Sequence, residues 1–408
     1  MAIPERPRIR PIEALPFEEK GERIFLLRDP LGYSDQTIGL SVPAALIVSL
    51  CDGTRTLRDL QADFARATGE ILFTEVLKGL LEKLDAAFFL DSDRYAARRR
   101  EVEEAYANAP VRAAAHAGAS YPADPAALRS LLHDWIDGVG EGLRESIPPR
   151  AIIAPHIDLR VGGRAAGRAY AALETNQEAE VFFVLGTAHA GPDAPFVLTR
   201  KAYDTPLGPL PTDEGLVGAL ARRLPFDPFA DELVHRNEHS IEFQIVFLRA
   251  LADRRGGEGR RLRAVPILCG SLHEAVESRR LPEEDARIRQ ALEALRETVE
   301  SVGARGALIA GADLSHVGLR FGDEGGVTTP LRAAFEASDQ SALEAAKSGD
   351  AAGFYRSIAA NGDRYRCCGL TPIYAVLRAA SSSAGRMLAY EQMNDETGTV
   401  SFASVALS

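Results

Sequence analysis

The sequence predicts an α/β protein: a mostly parallel sheet covered by helices, preceded by a small separate module. Three observations predict that class. Four short apolar, partly β-branched runs recur after residue 119, at 151–154, 181–185, 264–268 and 307–310. Stretches of helical character lie between them, at 165–173, 214–224, 238–252 and 283–302. Continuous apolar strands separated by helices belong to parallel sheets buried on both faces. The first hundred residues follow a different order, a short strand and then helices, and at 408 residues the chain is long enough for two domains.

Within residues 1–105, residues 23–28 make a strand that Asp29-Pro30-Leu31-Gly32 ends. Residues 42–50 read as a helix, closed by a turn at Asp52-Gly53. Thr56 caps the next helix, 57–67, and Thr74 a third, 75–84, in which Val76, Leu77, Leu80, Leu81 and Leu84 recur at helical spacing. Phe88-Phe89-Leu90 suggests a closing strand, and residues 93–107 a charged helix. Residues 106–118, Ala-rich from Pro110 onward, read as a linker, and the α/β domain spans 119–408. Inside that domain Pro266 weakens 264–268 as a central strand. Residues 387–391 and 400–405 suggest a late antiparallel pair joined across 394–398. The pattern Leu50-Cys51-Asp52-Gly53-Thr54-Arg55-Thr56-Leu57, followed by two helices, makes the N-terminal module resemble a winged helix. It is most similar to the small PqqD-like domains that hold peptide substrates.

The formal charge of −11 argues against a general nucleic-acid binder, since no surplus of cations is present to neutralise phosphates. Acidic residues flank the arginine runs Arg98 to Arg100, Arg254-Arg255 and Arg260-Arg261, which therefore read as solvated surface. No apolar run approaches the roughly 20 residues of a membrane span, and the start, Met1 to Arg6, lacks the apolar core of a signal peptide. The expected compartment is the cytoplasm, where the four cysteines (Cys51, Cys269, Cys367, Cys368) stay as thiols.

The histidines are placed more tellingly than they are numerous. His156 follows the first apolar run by two residues, and His189 follows the second by four. Asp313 and His316 follow the fourth, in Asp313-Leu314-Ser315-His316. In open parallel sheets ligands bind outside the carboxyl ends of the strands, so three strands deliver imidazole or carboxylate to one edge. Glu238-His239-Ser240-Ile241-Glu242 opens a helix that Asn237 can cap, and His239 and Glu242 share a face, so that Glu242 can hold His239. Cys367-Cys368-Gly369 precedes another helix, where a thiolate is stabilised. Of the rest, His116 falls in the linker and reads as exposed, His133 packs beside Trp135, His273 can cap a helix, and His235 stands just before the Glu238 helix. Gly162-Gly163 and Gly256-Gly257 match no phosphate loop, and no Gly-x-Ser-x-Gly elbow is present.

Seven blocks in order make residues 115–408 resemble the Memo family, component B of the AmmeMemoRadiSam system. They are Tyr121-Pro122-Ala123, Pro155-His156, Leu185-Gly186 with His189, Thr205-Pro206-Leu207-Gly208, Glu238-His239-Ser240-Ile241-Glu242-Phe243-Gln244, Asp313-Leu314-Ser315-His316 and Cys368-Gly369. The resemblance implies a fold like that of class III extradiol dioxygenases and a redox role with copper or iron. Carried over residue by residue, it makes His156, His189 and Cys368 the metal ligands and sets His239, Asp313 and His316 in the same pocket. There His316 or His239 can move protons, and Asp313 can orient one of them.

The chain departs from the family pattern at Ile157-Asp158-Leu159, at Thr187-Ala188-His189-Ala190 and at Gly311-Ala312. The ligand positions stay intact while the pocket wall changes, and Asp158 becomes either an added pocket carboxylate or a helix cap. Two imidazoles and a thiolate suit copper, iron or zinc and suit magnesium or calcium poorly. Three readings follow: a metal-dependent oxidoreductase acting on a small molecule or peptide, a peptide-binding protein without chemistry, and a zinc hydrolase. The first two combine if the N-terminal module presents a peptide to the pocket, in a pathway that includes a radical enzyme.

Overall fold

The computed structural model describes residues 3–19, 22–139, 147–256, 262–380 and 384–408, so Met1, Ala2, Gly257 and the Arg260-Arg261 pair lie outside the described residues. The chain divides into two compact units, Met1–Ala109 and Pro110–Ser408.

The first unit holds β1 (Glu13–Glu19), β2 (Glu22–Arg28), β3 (Ile38–Ser41), α1 (Val42–Leu50), α2 (Leu57–Thr68), α3 (Thr74–Ala86) and α4 (Asp93–Asn108). The strands form an antiparallel meander in the order β1-β2-β3. The turn after β2 is built on Asp29, a buried carboxylate 2.6 Å from the Arg10 guanidinium that also accepts the Leu31 and Ser34 backbone N–H groups. Thr56 and Asp59 cap α2 reciprocally, each side chain taking the other's backbone N–H. Two local expectations fail. The N-cap of α3 is Phe73 and makes no side-chain cap, while the Thr74 hydroxyl takes a hydrogen bond from Gln61 Nε2 at 3.1 Å. Phe88 sits at φ 61° and Leu90 makes only an isolated bridge to Ile9, so no strand closes the unit there. In α4, Arg98 and Arg99 pair with Glu101 and Glu103.

The second unit runs β4 (Val111–Arg112), α5 (Pro125–Asp137), β5 (Ala151–Ala154), α6 (Leu159–Glu174), β6 (Val181–Thr187), β7 (Phe196–Leu198), β8 (Ala202–Tyr203), α7 (Glu214–Ala221), α8 (His239–Arg254), β9 (Arg263–Cys269), α9 (His273–Ser278), α10 (Ala286–Val302), β10 (Gly306–Gly311), β11 (His316–Val317), α11 (Thr329–Lys347), α12 (Ala351–Ala359), α13 (Leu370–Ala379), β12 (Gly385–Asn394) and β13 (Thr399–Leu407). Its sheet is mostly parallel at the centre: β5, β10, β6 and β9 lie side by side and point the same way. Antiparallel strands flank them, β7 beyond β9 and β13 beyond β5, with β12 paired to β13. Pro266 does sit inside β9. Backbone polar groups alternate sides along a strand, and the Ala264 N–H already faces away from β6, to Pro211 O. Pro266 therefore turns its missing N–H to the same outer side, where β7 pairs only from Ile267 onward.

Alternating side chains of the sheet fill two layers. Val181, Phe183, Leu185, Val265, Ile267, Leu308 and Ala310 join a core with the buried faces of α7, α10, α11, α12 and α13. Helices α5, α6 and α8 pack together on the sheet's other face. There Gly163 earns its place by space alone, since a Cβ on it would lie 2.4 Å from the Trp135 ring of α5. Residues 106–118 contain the end of α4 and all of β4, and Arg112 in β4 is fully buried. All four cysteines are free thiols. Among the described residues, no helix is long and apolar enough to cross a membrane.

Candidate metal centre

Strand register explains why distant residues meet. Gly311 pairs with Ala154 on one side and Gly186 on the other, so β5, β10 and β6 end level. His156 lies two residues past Ala154, Asp313 two past Gly311 and His189 three past Gly186, which sets all three on the edge where the strands give out. His156 is buried, and its Nδ1 donates to Gly311 O at 2.8 Å. That bond leaves Nε2 bare, 3.3 Å from Cys368 Sγ and 3.7 Å from Asp313 Oδ2. The Asp313 carboxylate also accepts the His156 backbone N–H at 3.0 Å.

Cys368 reaches this edge because α13 starts on top of β10. The Gly369 N–H donates to Asp313 O at 3.0 Å, and Thr187 Oγ1 holds Cys368 O at 2.8 Å. Ligand atoms of His156, His189 and Cys368 all lie within 4.8 Å of one another. His156 is sealed in, Cys368 half-buried and His189 exposed, so the group opens to solvent on the His189 side.

Two further clusters overlap with this one. At the start of α8 the buried Glu238 carboxylate lies 3.0 Å from His189 Nδ1 and 3.2 Å from His239 Nδ1, and it accepts the His189 and Ser240 backbone N–H groups at 2.9 and 3.0 Å. The His189 and His239 rings stack at 4.8 Å, and each stands about 5 Å (5.1 and 5.2 Å) from the His156 ring. On the other side, Asp313, His316 and Cys368 also bring ligand atoms within 4.8 Å, with His316 Nδ1 tied to Leu314 O at 2.9 Å and Arg366 O at 3.2 Å.

Burial sets the protonation of this cluster in the metal-free chain. It drives His156 down to about 3 and His316 down to about 4, the latter against the pull of Asp313, so both imidazoles are neutral. It pushes Asp313 up to about 6 and the Cys368 thiol well above its ordinary value. Burial would raise Glu238 too, yet His189, His239 and the Ser240 N–H outweigh it and hold that carboxyl well below its usual range.

The structure brings His156, His189, Cys368, His239, Asp313 and His316 together, and it sends two expected site residues elsewhere. Asp158 caps α6 and pairs with Arg160 at 2.7 Å, where a short acidic side chain before a helix finds its nearest donors. Glu242 does not hold His239. It is fully buried, paired with Arg112 and bonded to Tyr121 Oη, and it accepts the Ala115 and His116 backbone N–H groups at 3.1 and 2.9 Å. Glu238, not Asn237, is the N-cap of α8.

His116 is not an exposed linker residue. It is half-buried, its Nε2 is 2.9 Å from Asn237 O, and its ring meets that of His239 edge-on at 5.8 Å. His235 is sealed between Tyr203 Oη and Val197 O, at 2.7 and 3.0 Å. His273 is exposed beside Glu277. Glu238 and His116 are the neighbours that sequence spacing missed. A carboxylate just before a helical histidine was the available signal for the first; nothing local marks the second.

Two imidazoles and a cysteine sulfur at this spacing fit a borderline or soft transition metal, and three protein donors leave coordination positions open. Residues 112–407 match the family model described as Memo-like protein. A MEMO1 family protein of Aquifex aeolicus (strain VF5) is 30% identical over 319 residues, which cover 78% of this chain and 77% of the relative. One from Thermus thermophilus is 30% identical over 283 residues, 68% of this chain and 74% of the relative. One from Pyrococcus furiosus is 32% identical over 217 residues, 52% and 67% of the two chains. This chain therefore belongs to the Memo family.

Proposed function

We propose that the chain is a cytoplasmic, metal-dependent oxidoreductase that binds copper or iron through His156 Nε2, His189 and Cys368 Sγ. The observation that carries this reading is the approach of those three donors, 33 and 179 residues apart along the chain, to within 4.8 Å of one another. Bound there, copper or iron supplies redox chemistry at open coordination positions. The chain's own residues do the rest. Gly311 O and Asp313 fix the His156 ring, and the His189 side admits the substrate. His239 and His316 are neutral imidazoles within reach of the same space, suited to hold or move a proton at Nε2. In the same reading the second unit is a class III extradiol dioxygenase-like fold.

Metal analysis of protein purified without a histidine tag tests this. Wild type is expected to retain about one equivalent of a transition metal, and His156→Ala and Cys368→Ser to lose most of it. Cys367→Ser is expected to keep it. Equal metal content in wild type and the His156 and Cys368 variants would rule out this ligand set.

For the first unit we infer a winged-helix, PqqD-like role in presenting a peptide, in a system that includes a radical enzyme. Supporting this is an apolar groove lined by Ile9, Ile12, Phe25, Leu27, Leu40 and Leu46, beside a three-stranded sheet. Removing residues 1–109 should abolish peptide binding, read by calorimetry, and leave metal content unchanged. Loss of both together would count against this division of labour.

A further inference from the structure

Each of the four pocket histidines rests its Nδ1 against an oxygen that only accepts. For His156 and His316 that oxygen is a backbone carbonyl, Gly311 O at 2.8 Å and Leu314 O at 2.9 Å. For His189 and His239 it is one and the same carboxylate. Glu238 Oε1 lies 3.0 Å from His189 Nδ1, 3.2 Å from His239 Nδ1 and 3.0 Å from the Ser240 backbone nitrogen, while Oε2 takes the His189 backbone N–H at 2.9 Å. At His189 an unprotonated Nδ1 at that distance would set lone pair against lone pair, so its ring proton belongs on Nδ1, while His239 Nδ1 only stands beside the same oxygen.

We propose that Glu238 is the positioning residue of the pocket, a single buried carboxylate that holds His189 in the Nδ1–H form with the His239 ring beside it. This rests on the metal-binding reading for its consequence, not for its geometry. With Nδ1 occupied, His189 offers Nε2 to a metal in a fixed orientation. His239 stacks on it at 4.8 Å. The pocket thus holds three Nε2 lone pairs, on His156, His189 and His316. The same carboxylate caps α8, so the start of that helix sets both rings at once.

Glu238→Gln breaks the arrangement at one atom. The amide keeps a single acceptor oxygen and turns an NH2 donor toward the His189 backbone N–H. Metal-free full-length protein labelled with ¹⁵N in its imidazoles gives the tautomers directly by long-range ¹H–¹⁵N correlation, the rings being assigned with His189→Gln and His239→Gln. In wild type the His189 ring is expected as Nδ1–H. In Glu238→Gln that ring is expected to shift toward Nε2–H, and Co(II) affinity to fall by about 10–100-fold.

Nε2–H on the wild-type His189 ring would overturn the proposal even if the variant failed to fold. So would a folded Glu238→Gln protein with unchanged His189 tautomer and affinity. Wild-type protein with His189 in the Nδ1–H form that takes up no Co(II) would sink the metal reading and leave the assignment of Glu238 standing.

Discussion

His235 shows what burial alone does to an imidazole outside the pocket. Its Nε2 donates to Val197 O and its Nδ1 accepts from Tyr203 Oη, so the ring is neutral and fully engaged. Burial drives its pKa down to about 3, against the pull of the Val197 carbonyl. In the unfolded chain the value returns to about 6.5. Between those two values the unfolded state binds a proton that the folded state refuses. The stability from this group is complete above about pH 6.5 and drains away as pH falls toward 3, with about 2 kcal/mol gone at pH 5.

A His235→Gln protein should be less stable at pH 7.5 yet lose less on acidification, read as urea midpoints from pH 7.5 to 5. An unchanged acid slope would contradict the buried neutral ring. At this scale the sequence showed His156, His189, Asp313 and His316, because each follows a recognisable strand by a few residues. It misread Glu242, which shares a helical face with His239, because nothing in i, i+3 spacing reveals that Arg112 from β4 lies on the same side. Partners more than a hundred residues apart leave no local pattern.

The start of α13 decides where Cys368 goes. Gly369 has an ordinary helical φ of −77°, so its lack of a side chain matters for space, not for backbone freedom. A Cβ there would lie 2.3 Å from Asp313 O, a backbone atom that cannot swing aside. Gly369→Ala should therefore push α13 off β10, carry Cys368 away from His156, and lower Co(II) affinity by about tenfold or more with secondary structure retained. Wild-type affinity in that variant would show that the helix start does not position the thiol.

The four central strands, and the antiparallel pair β12–β13, were legible as apolar runs between helical stretches. Strands β7, β8 and β11 were not, since two or three residues are too few to show a period. Phe88 to Leu90 looked like a strand from its composition, but a left-handed Phe88 breaks the extension. The N-cap of α8 was misplaced by one residue because Asn237 and Glu238 are both able to cap, and only the pocket chooses between them.

Across the whole molecule, the chain divides into two compact units, and the edge of one parallel sheet gathers the candidate metal ligands of the second. The strand order gave the sheet, and register made the strand ends level. What no reading of the linear chain supplies is the closing distance between residues 156, 189 and 368, which depends on two parallel pairings and the seat of α13. The most direct test of that convergence is anomalous scattering from crystals of the full-length protein grown with Co(II) or Fe(II). The account predicts one strong peak about 2.0–2.3 Å from His156 Nε2, a His189 ring nitrogen and Cys368 Sγ. A metal peak elsewhere on the chain with this pocket empty would contradict it.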